Sequence, residues 1–314
     1  MNTCKITSSF KSHFKVSIVG CGNVGATAAY AMLLEGTPSE LVLVDRDKNK
    51  AHGLLLDFEH SLPFVPYTKI VSSDDLEACR NSHLIVISAG ARQQEGETRL
   101  QLIDKNRKIF KELIPALAKV APESILLIVT NPVDVLTVEA LKLSGFPENR
   151  VFGTGTMLDT ARFRFHIAEK LCLSPQSIQA YVLGEHGDTS FPVFSSANIA
   201  GKPLSEFEGF TPELAAQCFD ETKTAAYRII HDMGYTCYSI GMVIKEIMGH
   251  IFQHSRMVVP LSVNLKDYYG HSDVALSVPC VLDSDGVSEI IKVPLSEEEQ
   301  RMLAKSVETL KSYQ

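Results

Sequence analysis

The six residues Gly20-Cys21-Gly22-Asn23-Val24-Gly25 constrain this chain more than any others. They follow an apolar run, FKVSIVG at 14–20, and open a small-residue helical pattern, NVGATAAYAMLLEG at 23–36. A second apolar run, ELVLVD at 40–45, ends on Asp45, twenty residues past the last glycine. Strand, G-x-G-x-x-G, helix, strand and acid, in this order, is what a dinucleotide-binding turn requires. Gly20 permits the tight turn, Gly22 lets backbone approach a pyrophosphate, and Gly25 lets the helix pack on its strand. The helix N-terminus supplies N–H donors and a partial positive charge. Asp45 accepts hydrogen bonds from the adenine ribose hydroxyls and repels a 2′-phosphate, which favours NAD over NADP. Outside this context the same six residues would be a glycine-rich turn with no ligand.

The rest of the first half repeats the alternation. TKIVSS (68–73), HLIVISAG (83–90) and SILLIVTN (124–131) read as strands. DKNKAHGLLLDFEHSL (47–62) and LIDKNRKIFKELIPALAKVA (102–121) read as helices. Continuous apolar strands alternating with helices imply a parallel sheet covered on both faces. After about residue 150 the pattern loosens. Helices are expected at 158–171, 213–233 and 296–313, the last with a Ser296/Glu299 capping box. IQAYVLGEHG (178–187) runs into a loop, and 277–293 reads as a hairpin turning at Asp285-Gly286. An α/β half thus precedes an α+β half.

Composition excludes several classes. A net charge of −7 without a basic run argues against a nucleic-acid or anionic-membrane surface. No apolar run reaches the roughly 20 residues of a bilayer span. The opening MNTCKITSSFKSHFKV lacks the apolar segment of a signal peptide. Seven cysteines, at 4, 21, 79, 172, 218, 237 and 280, show no CxxC spacing and suit a reduced cytoplasmic interior. His250 and His254 are spaced i,i+4, but no third ligand accompanies them, so no metal is expected.

Four segments bear chemistry beyond the glycine turn. LDTARFR (158–164) puts Asp159 and Arg162 on one helical face. Arg162 suits a substrate carboxylate, gripped through two guanidinium nitrogens. Asp159 suits an imidazole, whose tautomer a carboxylate fixes and whose charge it favours. VLGEHGDTSFPV (182–193) supplies His186, which donates a proton when a 2-oxo acid is reduced and recovers it in reverse. Alone, Asp159 and Arg162 read as a surface ion pair and His186 as a turn residue; what joins them is their place behind a dinucleotide turn. Asp188 lies closer in sequence, yet Asp159 is the expected partner of His186. SAGARQQEGETRLQL (88–102) reads as a polar loop carrying Arg92 and Arg99, with Gly96 as a hinge. Closing such a lid excludes water and brings Arg99 to the substrate carbonyl. In VTNPVD (129–134), Asn131 can hydrogen-bond substrate or nicotinamide, and Pro132 starts the next helix.

VGCGNVG, VDRDKNKAHG, SAGARQQEGETR, VTNPVDVLT, GTGTMLDTARFR, VLGEHGDTSFPV and GYTCYSIG, spanning residues 16 to about 241, together resemble the lactate/malate dehydrogenase family. The resemblance implies a Rossmann doubly wound parallel sheet over 1–150 and an α+β substrate-binding, catalytic domain over 151–314. It implies NAD-dependent oxidation and reduction of a 2-hydroxy acid. His186 is then the proton donor and acceptor, Asp159 its partner, Arg162 the carboxylate clamp and Arg99 the lid arginine, with Thr236 in the substrate pocket. Around the cofactor it places Gly20, Gly22, Val24, Gly25, Asp45, Lys50, Gly90, Ala91, Val129, Asn131 and Ile240, the last against the nicotinamide. Gln93 stands where malate-using members carry an arginine, and a dicarboxylate beside it would bury an unpaired charge. Pyruvate and L-lactate are the expected pair, as in fermentative glycolysis, with branched 2-oxo acids or malate as the alternative. Arg164 matches the arginine of the fructose 1,6-bisphosphate site of many bacterial members, but Gln179 replaces its histidine, so weak or absent activation is expected. The short N-terminal stretch is of the bacterial kind, and a cytoplasmic homotetramer is expected. A non-catalytic NAD sensor would have no use for His186, Asp159, Arg162 and Arg99 together.

Overall fold

Two strands of the first half are apolar at every position because both of their faces are covered. Leu84–Ile87 and Ile125–Ile128 are buried at all positions. The computed structural model describes residues 13–91, 96 and 98–314. Its first half runs β1 (Lys15–Val19), α1 (Asn23–Glu35), β2 (Glu40–Val44), α2 (Lys48–Ser61), β3 (Lys69–Ser73) and β4 (Leu84–Ile87). It continues with α3 (Arg99–Val120), β5 (Ile125–Ile128), α4 (Val133–Ser144) and β6 (Val151–Gly153). These six strands pair in parallel in the order β3-β2-β1-β4-β5-β6. The order reverses between β1 and β4, and open α/β sheets hold their ligands in that crevice, past the carboxyl ends of the strands.

The second half comprises α5 (Met157–Leu171), β7 (Ile178–Leu183), β8 (Phe191–Ile199), β9 (Lys202–Pro203) and α6 (Pro212–Met233). It ends with α7 (Tyr238–Gln253), β10 (Met257–Asn264), β11 (Ala275–Asp283), β12 (Gly286–Ile290) and α8 (Glu297–Lys311). β7, β8 and β9 form a small antiparallel sheet. Phe163, Ile167, Ala180, Val182, Ala197, Ile199 and Cys218 pack it against α5 and α6. β10, β11 and β12 instead extend the large sheet, antiparallel, beyond β6. No helix among the described residues is long and apolar enough to cross a membrane.

Two expectations are corrected. The β11–β12 turn is Ser284-Asp285, not Asp285-Gly286, because Gly286 is already paired with Asp283. Gly286 has φ +100, and a Cβ there would overlap the carbonyl oxygen of Asn149. Helix α3 begins at Arg99, inside the segment read as loop, because Thr98 and Gln101 form a capping box. The expected box at Ser296 and Glu299 is present and does more: Glu299 also accepts N–H bonds from Phe194 (2.8 Å) and Ser195 (3.1 Å), tying α8 to β8. The elements α4, α7, β8 and β10 are not among those whose bounds are read from the sequence. From Val133 to Ala140, α4 is buried at every position but Glu139, so this stretch lacks the polar face that marks a surface helix.

Candidate active site

Helix α5 enters beside strand β7, and three threonine and serine hydroxyls fix how. Thr156 Oγ1 donates to the Val182 carbonyl (2.5 Å), and Val182 N–H donates to Thr160 Oγ1 (3.0 Å). The main-chain N–H of Thr156 donates to Ser277 Oγ (2.9 Å) on β11. Ser277 also exchanges both backbone bonds with Gly184, just past β7. Gly184 has φ +90, and a Cβ would stand 2.6 Å from Ser306 Oγ. The start of α5 and the end of β7 are therefore pinned to one another, and to β11.

This stitching brings two side chains 27 positions apart into contact: His186 Nδ1 lies 2.7 Å from Asp159 Oδ2. The imidazole's acidic neighbour is thus Asp159; Asp188 is exposed, and its carbonyl takes Lys223 Nζ (2.9 Å). The other Asp159 oxygen accepts from Arg162 Nη1 (3.2 Å). Burial opposes ionisation of Asp159, but the charges of His186 and Arg162 hold its carboxyl below the usual range. Burial likewise disfavours imidazolium, yet the charge and hydrogen bond of Asp159 outweigh it and raise His186 above the ordinary histidine value. With Nδ1 donating to a carboxylate, Nε2 is the nitrogen left to exchange a proton.

Two more carboxylates and two hydroxyls complete the surroundings, none singled out by sequence reasoning. Asp134, on α4 and only 2% exposed, accepts the main-chain N–H of His186 through Oδ2 (2.7 Å). Its Oδ1 accepts from Ser262 Oγ (2.6 Å) on β10. Burial pushes the Asp134 carboxyl up to about 6, against the pull of Ser262 and His186. Glu185, fully buried, pairs with Arg99 and takes the Thr189 hydroxyl. Arg99 therefore rests on Glu185 and over the Tyr313 ring (5.5 Å). A Cβ at Gly187 would stand 2.8 Å from the Arg99 guanidinium, so the glycine leaves room for it. Gln93 and Arg92 lie outside the described residues. Thr236 lies half-buried in the link between α6 and α7.

The glycine turn fits a dinucleotide. Gly22 is the N-cap of α1 with no capping side chain, and a Cβ there would meet only open space. Gly20 has φ +101, and a Cβ there would stand 2.5 Å from Ala89 N. Asp45, at the end of β2, accepts from Cys21 N (2.8 Å) and Asp47 N (3.0 Å), with Lys50 Nζ at 3.8 Å. Each oxygen retains a lone pair for a ribose hydroxyl. Val24 is half-buried on α1. Beyond β4 and β5, buried Asn106 joins two loops: it accepts from Ala91 N (2.7 Å) and donates to the Asn131 carbonyl (2.7 Å). Gly90 packs against Thr130 and Asn106 with no room for a side chain. Val129 is buried behind them, while Asn131 is exposed. Ile240 precedes Gly241, where α7 approaches Thr27 and Ala28 of α1 too closely for a Cβ.

Comparison with known proteins agrees with this geometry. Residues 14–153 match the profile described as lactate/malate dehydrogenase, NAD binding domain, and residues 156–313 match the alpha/beta C-terminal domain of the same family. The chain is 45% identical to L-lactate dehydrogenase A-like 6A of Homo sapiens over 304 residues, 95% of this chain and 92% of that protein. It is 44% identical to the L-lactate dehydrogenase of Gloeobacter violaceus over 302 residues, 95% of this chain and 91% of the relative. Among solved structures, the minor L-lactate dehydrogenase from Enterococcus mundtii superposes with a TM-score of 0.93 at 37% identity, covering 96% and 98% of the two chains.

Proposed function

The chain belongs to the lactate/malate dehydrogenase family, and we propose that it is an L-lactate dehydrogenase, reversibly reducing pyruvate at the expense of NADH. The observation that carries the reading is the Asp159 carboxylate shared between His186 Nδ1 and Arg162. Residues 1–150 hold the cofactor and 151–314 the substrate-binding machinery. Gly20, Gly22, Val24 and Gly25 would hold the pyrophosphate of NAD, Asp45 and Lys50 its adenosine, and Gly90, Ala91, Val129, Asn131 and Ile240 its nicotinamide. When bound, the reduced nicotinamide supplies a hydride for the carbonyl carbon. Arg162 turns its remaining guanidinium nitrogens to the substrate carboxylate, fixing the orientation. His186 delivers the Nε2 proton to the carbonyl oxygen, and Asp159 stabilises the imidazolium before transfer. Arg99 leaves Glu185 to stabilise the charge growing on that oxygen. Asn131 and Thr236 complete the pocket. In lactate oxidation the same groups run in reverse, with neutral His186 as the base.

Gln93 sets the substrate class, since a neutral amide leaves a second carboxylate unpaired. A panel of pyruvate, oxaloacetate, 2-oxoisocaproate and phenylpyruvate with NADH tests this. Pyruvate is expected to have the highest kcat/KM, and Gln93→Arg to move preference toward oxaloacetate. A wild type that prefers oxaloacetate or a branched acid sinks the reading.

Regulation and assembly follow the same line. Arg164 Nε donates to the Ala180 carbonyl (2.9 Å), and its guanidinium lies over the Tyr181 ring (5.3 Å), while Gln179 is exposed. That arginine is occupied by its own chain, and a neutral amide replaces the second cation. Fructose 1,6-bisphosphate is therefore expected to leave the rate at neutral pH unchanged; a many-fold rise on its addition contradicts this. We place the enzyme in the cytoplasm, in fermentative glycolysis, as a homotetramer.

A further inference from the structure

We propose that Asp134 is a positioning residue for His186: its buried carboxylate holds the His186 main chain and is the second anion facing the imidazole. The inference rests on the reading of His186 as the proton donor. The geometry is specific. Asp134 lies 52 positions upstream, on α4, and its Oδ2 takes the His186 N–H at 2.7 Å. Its Oδ1 is fixed in turn by Ser262 Oγ at 2.6 Å, from β10, 128 positions away. At 2% exposure on a mostly apolar stretch of helix, the Asp134 carboxylate bonds, among the described residues, to these two partners. A buried carboxylate is costly unless its charge is compensated. An amide would serve equally well for one N–H and one hydroxyl, because Ser262 can accept as readily as donate. The charge itself therefore has a use, and the group it faces is His186.

Three charged groups bear on that imidazole. Asp159 and Arg162 come from α5, and Asp134 from α4. Arg99, from α3, is balanced by Glu185. Arg162 disfavours the imidazolium, and Asp159 is partly engaged with Arg162. Asp134 adds the extra negative charge that keeps His186 protonated while it waits for substrate.

The test compares wild type, Asp134→Asn and Ser262→Ala. Asparagine keeps both hydrogen bonds and removes only the charge. Ser262→Ala keeps the charge and removes one of its supports. The readouts are the pH profile of kcat/KM for pyruvate and the pH dependence of diethyl pyrocarbonate modification at His186, followed by mass spectrometry. The second needs no turnover, so it distinguishes failure of this proposal from failure of the lactate dehydrogenase reading. Asp134→Asn is expected to move both profiles to lower pH and to lower kcat by about tenfold at neutrality, within the range of general acid–base effects. Ser262→Ala is expected to move them the same way by less. Wild-type profiles in either folded variant, with only a fall in Tm, would reduce Asp134 to a structural role and overturn the proposal.

Discussion

His186→Ala is expected to lower kcat for pyruvate reduction by about 10³-fold, the scale of a positioned general acid, and to leave NADH affinity unchanged. The loss is confined to chemistry because the residues proposed to bind NADH, from Gly20 to Asp45, share no hydrogen bond with the imidazole. Asp159 keeps Arg162 as its partner, so the truncation does not strand a buried carboxylate. The pH dependence has a fixed sign. Reduction needs the imidazolium, so kcat/KM for pyruvate is high below the His186 pKa and falls as pH rises through it. Asp159 places that fall above the ordinary histidine range. Lactate oxidation needs neutral imidazole and responds oppositely. Stability is linked to the same groups. The raised His186 stabilises the fold below the ordinary histidine value and ceases to do so as pH rises through its folded value. The depressed Asp159 stabilises it above the ordinary aspartate value and ceases as pH falls through its own. The Tm difference between wild type and His186→Ala is therefore largest between those limits and shrinks at alkaline pH. Stopped-flow turnover, NADH fluorescence titration and calorimetry check the three statements. Turnover retained in His186→Ala would remove the proton donor from the proposal.

What the sequence reveals of this site follows the range of the interactions. The glycine turn and Asp45 are legible because strand, turn, helix and acid are contiguous and each residue type answers to a local geometric demand. The pairing of Asp159 with Arg162 is legible as helical spacing. The contact of Asp159 with His186 needs α5 laid along β7, and no spacing rule gives that. Only resemblance to a family chooses Asp159 over the nearer Asp188. Asp134 and Glu185 lie in plain view, in VTNPVD and GEHG, yet their partners are residues 262, 186 and 99, which only the assembled sheet brings near. One signal was available for Asp134: a lone acid in an apolar helix must find a partner or stay neutral. The fold shows the same division. Buried parallel strands declare themselves as apolar runs. Buried helices such as α4 do not, since burial on all sides erases the period that identifies a surface helix. The joining of β10–β12 to the parallel sheet is a long-range pairing, and local pattern has no term for it.

Gly25→Ala is expected to weaken NADH binding by about thirtyfold and to lower stability by about 2 kcal/mol, a typical overpacking cost. The two effects have one cause. An alanine Cβ at position 25 would overlap the carbonyl oxygen of Gly20 and stand 2.8 Å from Ser88 Oγ. Ser88 Oγ itself donates to the Gly20 carbonyl at 2.8 Å, so neither obstacle is the free end of a flexible side chain. The strain relaxes only if α1 moves away from β1 or the turn opens. Either shift displaces the α1 N-terminus and the Cys21 N–H that Asp45 holds at 2.8 Å. Thirtyfold corresponds to about 2 kcal/mol, or one hydrogen bond to a charged group lost at the pyrophosphate. Gly22→Ala separates the two effects. Its Cβ enters open space in the folded chain, so it leaves Tm unchanged while blocking close approach of a pyrophosphate. Differential scanning calorimetry and NADH titration on the two variants give the contrast. If Gly22→Ala binds NADH as wild type does, the turn is not the pyrophosphate cradle.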